Sequence, residues 1–162
     1  MKTLGAVLLI LAAAAGPALA EQWGSIVPGQ STQQEIRLRY GAPSRTATTK
    51  TEGQDTAQWA YEGNRAPAGV QRLIIDFGLV VSGAFRAELV RSFILEPKPG
   101  AFTRRTVEAG WGKPDGVGKD GEWNFSFYRE GLFVYYDGKN DRVVSLTFTL
   151  PHAPPATPAT PR

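Results

Sequence analysis

The stretch Thr32-Gln-Gln-Glu-Ile36-Arg-Leu-Arg-Tyr40-Gly41-Ala-Pro43 returns as Thr103-Arg-Arg-Thr-Val107-Glu-Ala-Gly-Trp111-Gly112-Lys-Pro114, 71 residues later and without a gap. A Thr, a β-branched residue, an aromatic, a Gly and a Pro fall in register. Internal repetition of this kind dictates architecture before any single element does. Each copy opens as a short helix. Ser31 or Thr32 is placed to cap the first, and Thr32-x-x-Glu35 has capping-box spacing. Ile36 and Tyr40 share one helix face, as do Val107 and Trp111. Gly41 and Gly112 stand where a helix ends with positive φ, and Pro43 and Pro114 stop its continuation.

Strands follow each exit. In the second copy Trp123, Phe125 and Phe127 alternate with Asn124, Ser126 and Tyr128; Leu132, Val134 and Tyr136 alternate with Phe133 and Tyr135; and Val144, Leu146 and Phe148 alternate with Ser145 and Thr147. With a turn at Asp137-Gly138, this reads as a three-stranded antiparallel meander. The first copy offers Trp59/Tyr61, Leu73/Ile75/Phe77 and Val90 to Leu95, with Thr46–Thr56 and Gly63–Gly69 as extra loops and Leu79-Val80-Val81 unassigned. Trp59-Ala-Tyr61 matches Trp123-Asn-Phe125 as a Trp-x-aromatic element. The expected class is α+β: a tandem repeat of short helix plus three-stranded meander, residues 21–98 and then 99–150.

The ends bound the rest. Lys2, the apolar run Leu4–Ala15 and Ala18-Leu19-Ala20 read as a cleavable signal peptide over residues 1–20, and the apolar run itself is too short to cross a bilayer of roughly 30 Å comfortably. The expectation is a periplasmic or secreted protein starting at Glu21. The chain has no cysteine, which excludes disulfides, thiol nucleophiles and a lipidated cysteine after the leader, so no stable membrane anchor is expected. Residues 151–162 hold five of the twelve prolines and read as an extended, disordered tail, with a spacer or a ligand for a groove on another protein as alternatives. Without Lys2 the balance is 17 basic against 15 acidic side chains, too even to point to nucleic acid.

Pro28-Gly29-Gln30-Ser31-Thr32, Glu35-Ile36, Gly41-Ala42-Pro43 and Trp59-Ala60-Tyr61 together resemble the SmpA/OmlA, or BamE-like, domain family. The tandem arrangement is similar to the β-lactamase inhibitor protein fold. The resemblance covers the first copy well and the second more loosely, where Pro99-Gly100-Ala-Phe-Thr103 replaces the lead-in. It implies a cell-envelope protein that works by binding other proteins, either as an accessory to outer-membrane assembly or as an inhibitor of an envelope hydrolase. The chain departs from BamE-like lipoproteins in lacking the lipidated cysteine and in being doubled.

Catalysis fails on inventory. The one histidine, His152, lies in the tail, so Ser-His-Asp and Cys-His sets lack a base and nitrogen–sulfur metal sites lack ligands. No phosphate loop or dinucleotide fingerprint appears, and no cofactor is implied. Carboxylates remain (Asp115, Asp120, Glu122, Glu130, Asp137, Asp141), but Asp137-Gly138 reads better as a hairpin turn. A non-enzyme is expected. The binding signal is aromatic. If Trp123, Phe125, Leu132, Val134, Leu146 and Phe148 fill the core, parity sends Tyr128, Phe133 and Tyr135 to the opposite face. With Arg37 and Arg39 on the first helix, these five form the expected partner-binding surface, the partner being another envelope protein. Packing between the two copies is the competing account of that face. The Thr46–Thr56 segment and the Lys119–Glu122 turn are where an inhibitor would carry its insertion.

Overall fold

The computed structural model describes residues 23–137 and 141–152. The leader, Gly138 of the expected Asp-Gly turn and the tail from Ala153 onward lie outside the described residues. Along the chain run α1 (Gln33–Tyr40), β1 (Arg45–Thr51), β2 (Gln54–Glu62), a 3-10 turn (Gly63–Arg65), β3 (Val70–Val81), β4 (Ala84–Pro97), α2 (Arg104–Trp111), β5 (Gly116–Asp120), β6 (Trp123–Tyr128), β7 (Leu132–Tyr136) and β8 (Val143–Phe148). All eight strands form one antiparallel sheet in the order β1-β2-β3-β4-β8-β7-β6-β5. The expected α+β class is therefore corrected to mainly β, and each meander has four strands rather than three. Among the described residues the α-helical backbone is two eight-residue helices, bounded by their caps and exits, and the chain beyond each exit pairs instead of looping.

The repeat itself holds in atomic detail. Both helices have complete capping boxes, Thr32 with Glu35 and Thr103 with Thr106. Both end on a glycine with positive φ, +76° at Gly41 and +81° at Gly112. The lead-ins match too: Pro28-Gly29 and Pro99-Gly100 make turns with φ of +78° and +79° at the glycines. A tyrosine hydroxyl closes each exit, Tyr61 donating to the Gly41 carbonyl at 3.1 Å and Tyr128 to the Gly112 carbonyl at 3.2 Å. Tyr61 is thus the counterpart of Tyr128, and the Trp59/Trp123 match is out of step.

The helices and the N-terminal segment cover one face of the sheet. Ile26, Ile36 and Val107 are buried there with Trp59, Tyr61, Leu73, Ile75, Phe77, Phe93, Leu95, Tyr128, Leu132, Val134, Tyr136, Leu146 and Phe148. Trp111 packs on Phe148 at 6.3 Å and Tyr40 on Tyr61 at 5.8 Å. The two copies meet where β4 pairs with β8 through Phe93↔Phe148, Ile94↔Thr147 and Leu95↔Leu146. Across that seam the Phe93 and Phe148 rings stack at 4.5 Å, within 8° of parallel, a contact worth roughly 1 kcal/mol beyond the burial itself.

Candidate functional site

Among the described residues no helix lies on the other face of the sheet. Cross-strand partners share a face, so the register defines a row that crosses every strand: Arg45↔Ala60↔Ile74↔Ile94↔Thr147↔Phe133↔Phe127↔Gly116. From Ala60 to Gly116 the row is apolar apart from Thr147 and half-buried throughout. Eight strands spaced about 4.8 Å apart give it a length near 34 Å.

Polar rows flank this stripe. On one side Asp76 accepts from Gln58 Nε2 at 2.8 Å and from Ser92 Oγ at 3.3 Å, two neutral donors, and no lysine or arginine pairs with it among the described residues. On the other, Glu62 bridges Arg45 at 2.7 Å and Arg72 at 3.7 Å, while Arg72 Nε donates to Glu96 at 2.9 Å. Those guanidinium contacts raise the Arg72 pKa, Glu96 contributing most. In the second copy this flank turns aromatic, with Ser145↔Tyr135↔Phe125↔Gly118. Phe125 and Phe127 lie over the edge-strand glycines. A Cβ on Gly118 would meet the Phe125 ring at 2.5 Å. The rings thus cover backbone that glycine leaves bare, a cross-strand compensation that steadies the sheet edge. His152 closes the patch, its ring edge-on to Phe127 and Phe133 with both centroids at 5.4 Å.

The structure splits the expected binding surface into three places. Phe133 and Tyr135 do stand on the open face. Tyr128 does not: it is 2 % exposed, inside the core, with its hydroxyl on the Gly112 carbonyl. Burial pushes that hydroxyl up to about 12, as it does for Tyr61. Arg37 and Arg39 belong to the helix side. The Arg37 guanidinium lies 5.7 Å over the Trp59 ring, and Arg39 reaches Ser25 Oγ while lying 6.0 Å over Tyr40. Parity went wrong in β6. Trp123, Phe125 and Phe127 point to the open face, while buried Ser126 accepts from Arg104 of α2 at 3.3 Å. Arg104 also lies 4.1 Å over the Tyr136 ring. An aromatic alternation on a two-faced sheet names neither face, and the helix that needs Ser126 beneath it decides.

Three of the carboxylates weighed as chemical groups are held in ion pairs: Asp115 with Arg129 at 3.4 Å, Asp137 with Arg142 at 3.1 Å and Asp141 with Arg104 at 3.0 Å. The Thr46–Thr56 segment, read as a loop, is the β1–β2 hairpin, turning at Glu52-Gly53 with φ of +52° and +80°. A second such turn, Ser82-Gly83 at +51° and +80°, ends the long β3–β4 hairpin, so Leu79-Val80-Val81 belongs to β3. At the seam a cleft of about 620 Å³ is lined by Glu96, Pro97, Pro99, Asp137, Arg142 and Ser145, among others.

Fold and surface together define a class: a tandem, mainly-β sheet with two helices on one face and an aromatic-ended apolar stripe on the other. No family model matches the chain, and no curated protein sequence matches it. Among solved structures it is similar to a DUF4309 family protein (YjgB) from Bacillus subtilis subsp. subtilis str. 168, with a TM-score of 0.50 and 9 % identity over 78 % of this chain and 83 % of that one. At that identity the likeness is one of fold.

Proposed function

We propose that this chain is a non-enzymatic protein-binding module of the cell envelope, exported by its leader, and that its partner lies along the open face. The observation that carries the reading is the apolar stripe. A sheet face that no helix of the described residues covers, with Phe127, Phe133 and Tyr135 at one end, matches the aromatic-rich composition of interface centres. The flanks specify the partner's chemistry. It is apolar where it meets Phe133, Thr147, Ile94 and Ile74, and it carries a lysine or arginine opposite the Asp76 carboxylate, which has only neutral donors among the described residues. The BamE-like resemblance makes an accessory factor of outer-membrane assembly the finer form of this proposal.

Site-specific photo-cross-linking tests it. A benzophenone side chain replaces Tyr135 on the open face or, in a second variant, Leu38, which is 80 % exposed on the helix side. The expected result is a discrete cross-linked protein from position 135, none from 38, and a several-fold lower yield when Asp76→Lys is added. Cross-linking from 38 alone, or from neither site, overturns the reading. A soluble hydrolase as the sole cross-linked species would replace the assembly role with inhibition.

A further inference from the structure

The last described residue, His152, is where this surface begins to be filled by the chain itself. Its backbone N–H donates to the Arg129 carbonyl at 2.9 Å, and its ring rests on Phe127 and Phe133. The chain thus leaves β8 and arrives on top of the aromatic end of the stripe. Ala153-Pro-Pro-Ala-Thr-Pro-Ala-Thr-Pro-Arg162 comes next in the sequence.

We propose that residues 153–162 are an intramolecular ligand of the open face, lying along the stripe from Phe133 toward Thr147, Ile94 and Ile74. Three observations carry this. The anchor is in place, because His152 has already chosen the open face rather than the helix side. The chemistry matches, because proline-rich segments bind aromatic-lined apolar surfaces through a stiff polyproline helix that loses little entropy on docking. The reach suffices, because residues 153–162 at about 3.1 Å each can extend roughly 31 Å, and β1 lies six strand spacings, near 29 Å, from β6. Residues 153–162 hold no acidic side chain to meet Asp76, Glu62 and Glu96, and they carry a basic one, Arg162. The inference deepens the proposed function: the tail is a built-in competitor that a partner must displace.

Paramagnetic relaxation in the full exported protein tests it, helped by the absence of native cysteine. A nitroxide on Thr160→Cys should broaden the amide signals of Ile94 and Ile74 to a large loss of intensity while sparing Leu38 on the helix side. Replacing Pro154, Pro155, Pro158 and Pro161 with Ser in the same labelled chain should restore those signals. Broadening that is weak everywhere, or equal at Leu38 and Ile94, overturns the inference. In the cross-linking assay the four-proline variant should give a higher yield from position 135, and an unchanged yield would refute competition. Cross-linking without selective broadening removes the tail and leaves the binding surface standing. Selective broadening without cross-linking does the reverse.

Discussion

Gly112 and Gly110 lie two residues apart, and alanine at each should move stability in opposite directions. Neither offers a steric argument: a Cβ built at either position meets no heavy atom within 4 Å. Backbone conformation alone separates them. Gly112 ends α2 at φ +81°, ψ −165°, a region that side chains with a Cβ pay roughly 1–3 kcal/mol to enter. Gly110 sits inside α2, where Gly costs about 0.5–1 kcal/mol relative to Ala. Gly112→Ala should therefore destabilise by about 1–3 kcal/mol, and Gly110→Ala should stabilise by up to about 1 kcal/mol. Urea titration followed by tryptophan fluorescence reads both as shifts of the midpoint at constant slope. For a domain of this size, 1 kcal/mol corresponds to about 3–5 °C in Tm. If Gly112→Ala is as stable as the parent, or both variants move together, the helix exit does not depend on positive φ and the reasoning fails.

Other expectations concern the tyrosines and the edge strand. Tyr61→Phe and Tyr128→Phe should each cost about 0.5–1.5 kcal/mol by leaving a helix-exit carbonyl without its donor, and the double variant should add to within about 0.5 kcal/mol because the two sites lie in different copies; strong coupling in denaturation experiments would contradict two separate closures. Both hydroxyls have pKa values pushed up to about 12 by burial. The unfolded chain therefore loses their protons from about pH 10, and the folded chain near 12. Their contribution is intact below pH 10 and falls as pH rises through that window. Burial also raises the Tyr40 and Tyr136 hydroxyls, so spectrophotometric titration of the parent and of the two Phe variants should assign Tyr61 and Tyr128 to ionisation near pH 12, with loss of fold over the same range. Gly118→Ala should destabilise by about 1–3 kcal/mol by driving the Phe125 ring aside, whereas Gly116→Ala, whose nearest atom on Phe127 is 3.9 Å from the new Cβ, should be tolerated; equal melting temperatures would remove the glycine–aromatic pairing from the account.

Elements whose local chemistry agrees with the fold could be read directly. Thr32 and Thr103, Gly41 and Gly112, and Pro43 and Pro114 specify two short helices and their exits, and the capping boxes and positive φ values follow. The Leu73/Ile75/Phe77 and Leu132/Val134 alternations place β3 and β7 and their buried faces. What escaped was backbone held by its neighbours. β1 is Arg-Thr-Ala-Thr-Thr-Lys-Thr, exposed in all but its last residue, so no hydrophobic alternation marks it. β5, Gly-Val-Gly-Lys-Asp, survives as a strand because Phe125 and Phe127 cover its glycines. β6 misled for the same reason, since aromatics that serve an edge strand look like core. Of the candidate surface, Phe133 and Tyr135 were legible from parity, while Phe127, Ile94 and Ile74 needed the β4–β8 pairing that no local pattern encodes.

That pairing is the central claim, since without it the two copies are separate sheets and no stripe crosses them. Ile94 and Thr147 are Cα partners on the open face, a spacing of about 4.5–5.5 Å in antiparallel pairs that a disulfide can bridge. In this cysteine-free chain, Ile94→Cys with Thr147→Cys should close an intramolecular bond under mild oxidation, read by intact mass as the loss of two hydrogens and by peptide mapping as a 94–147 cross-link. Thiols that stay reduced, or that join only between molecules, would contradict the single sheet.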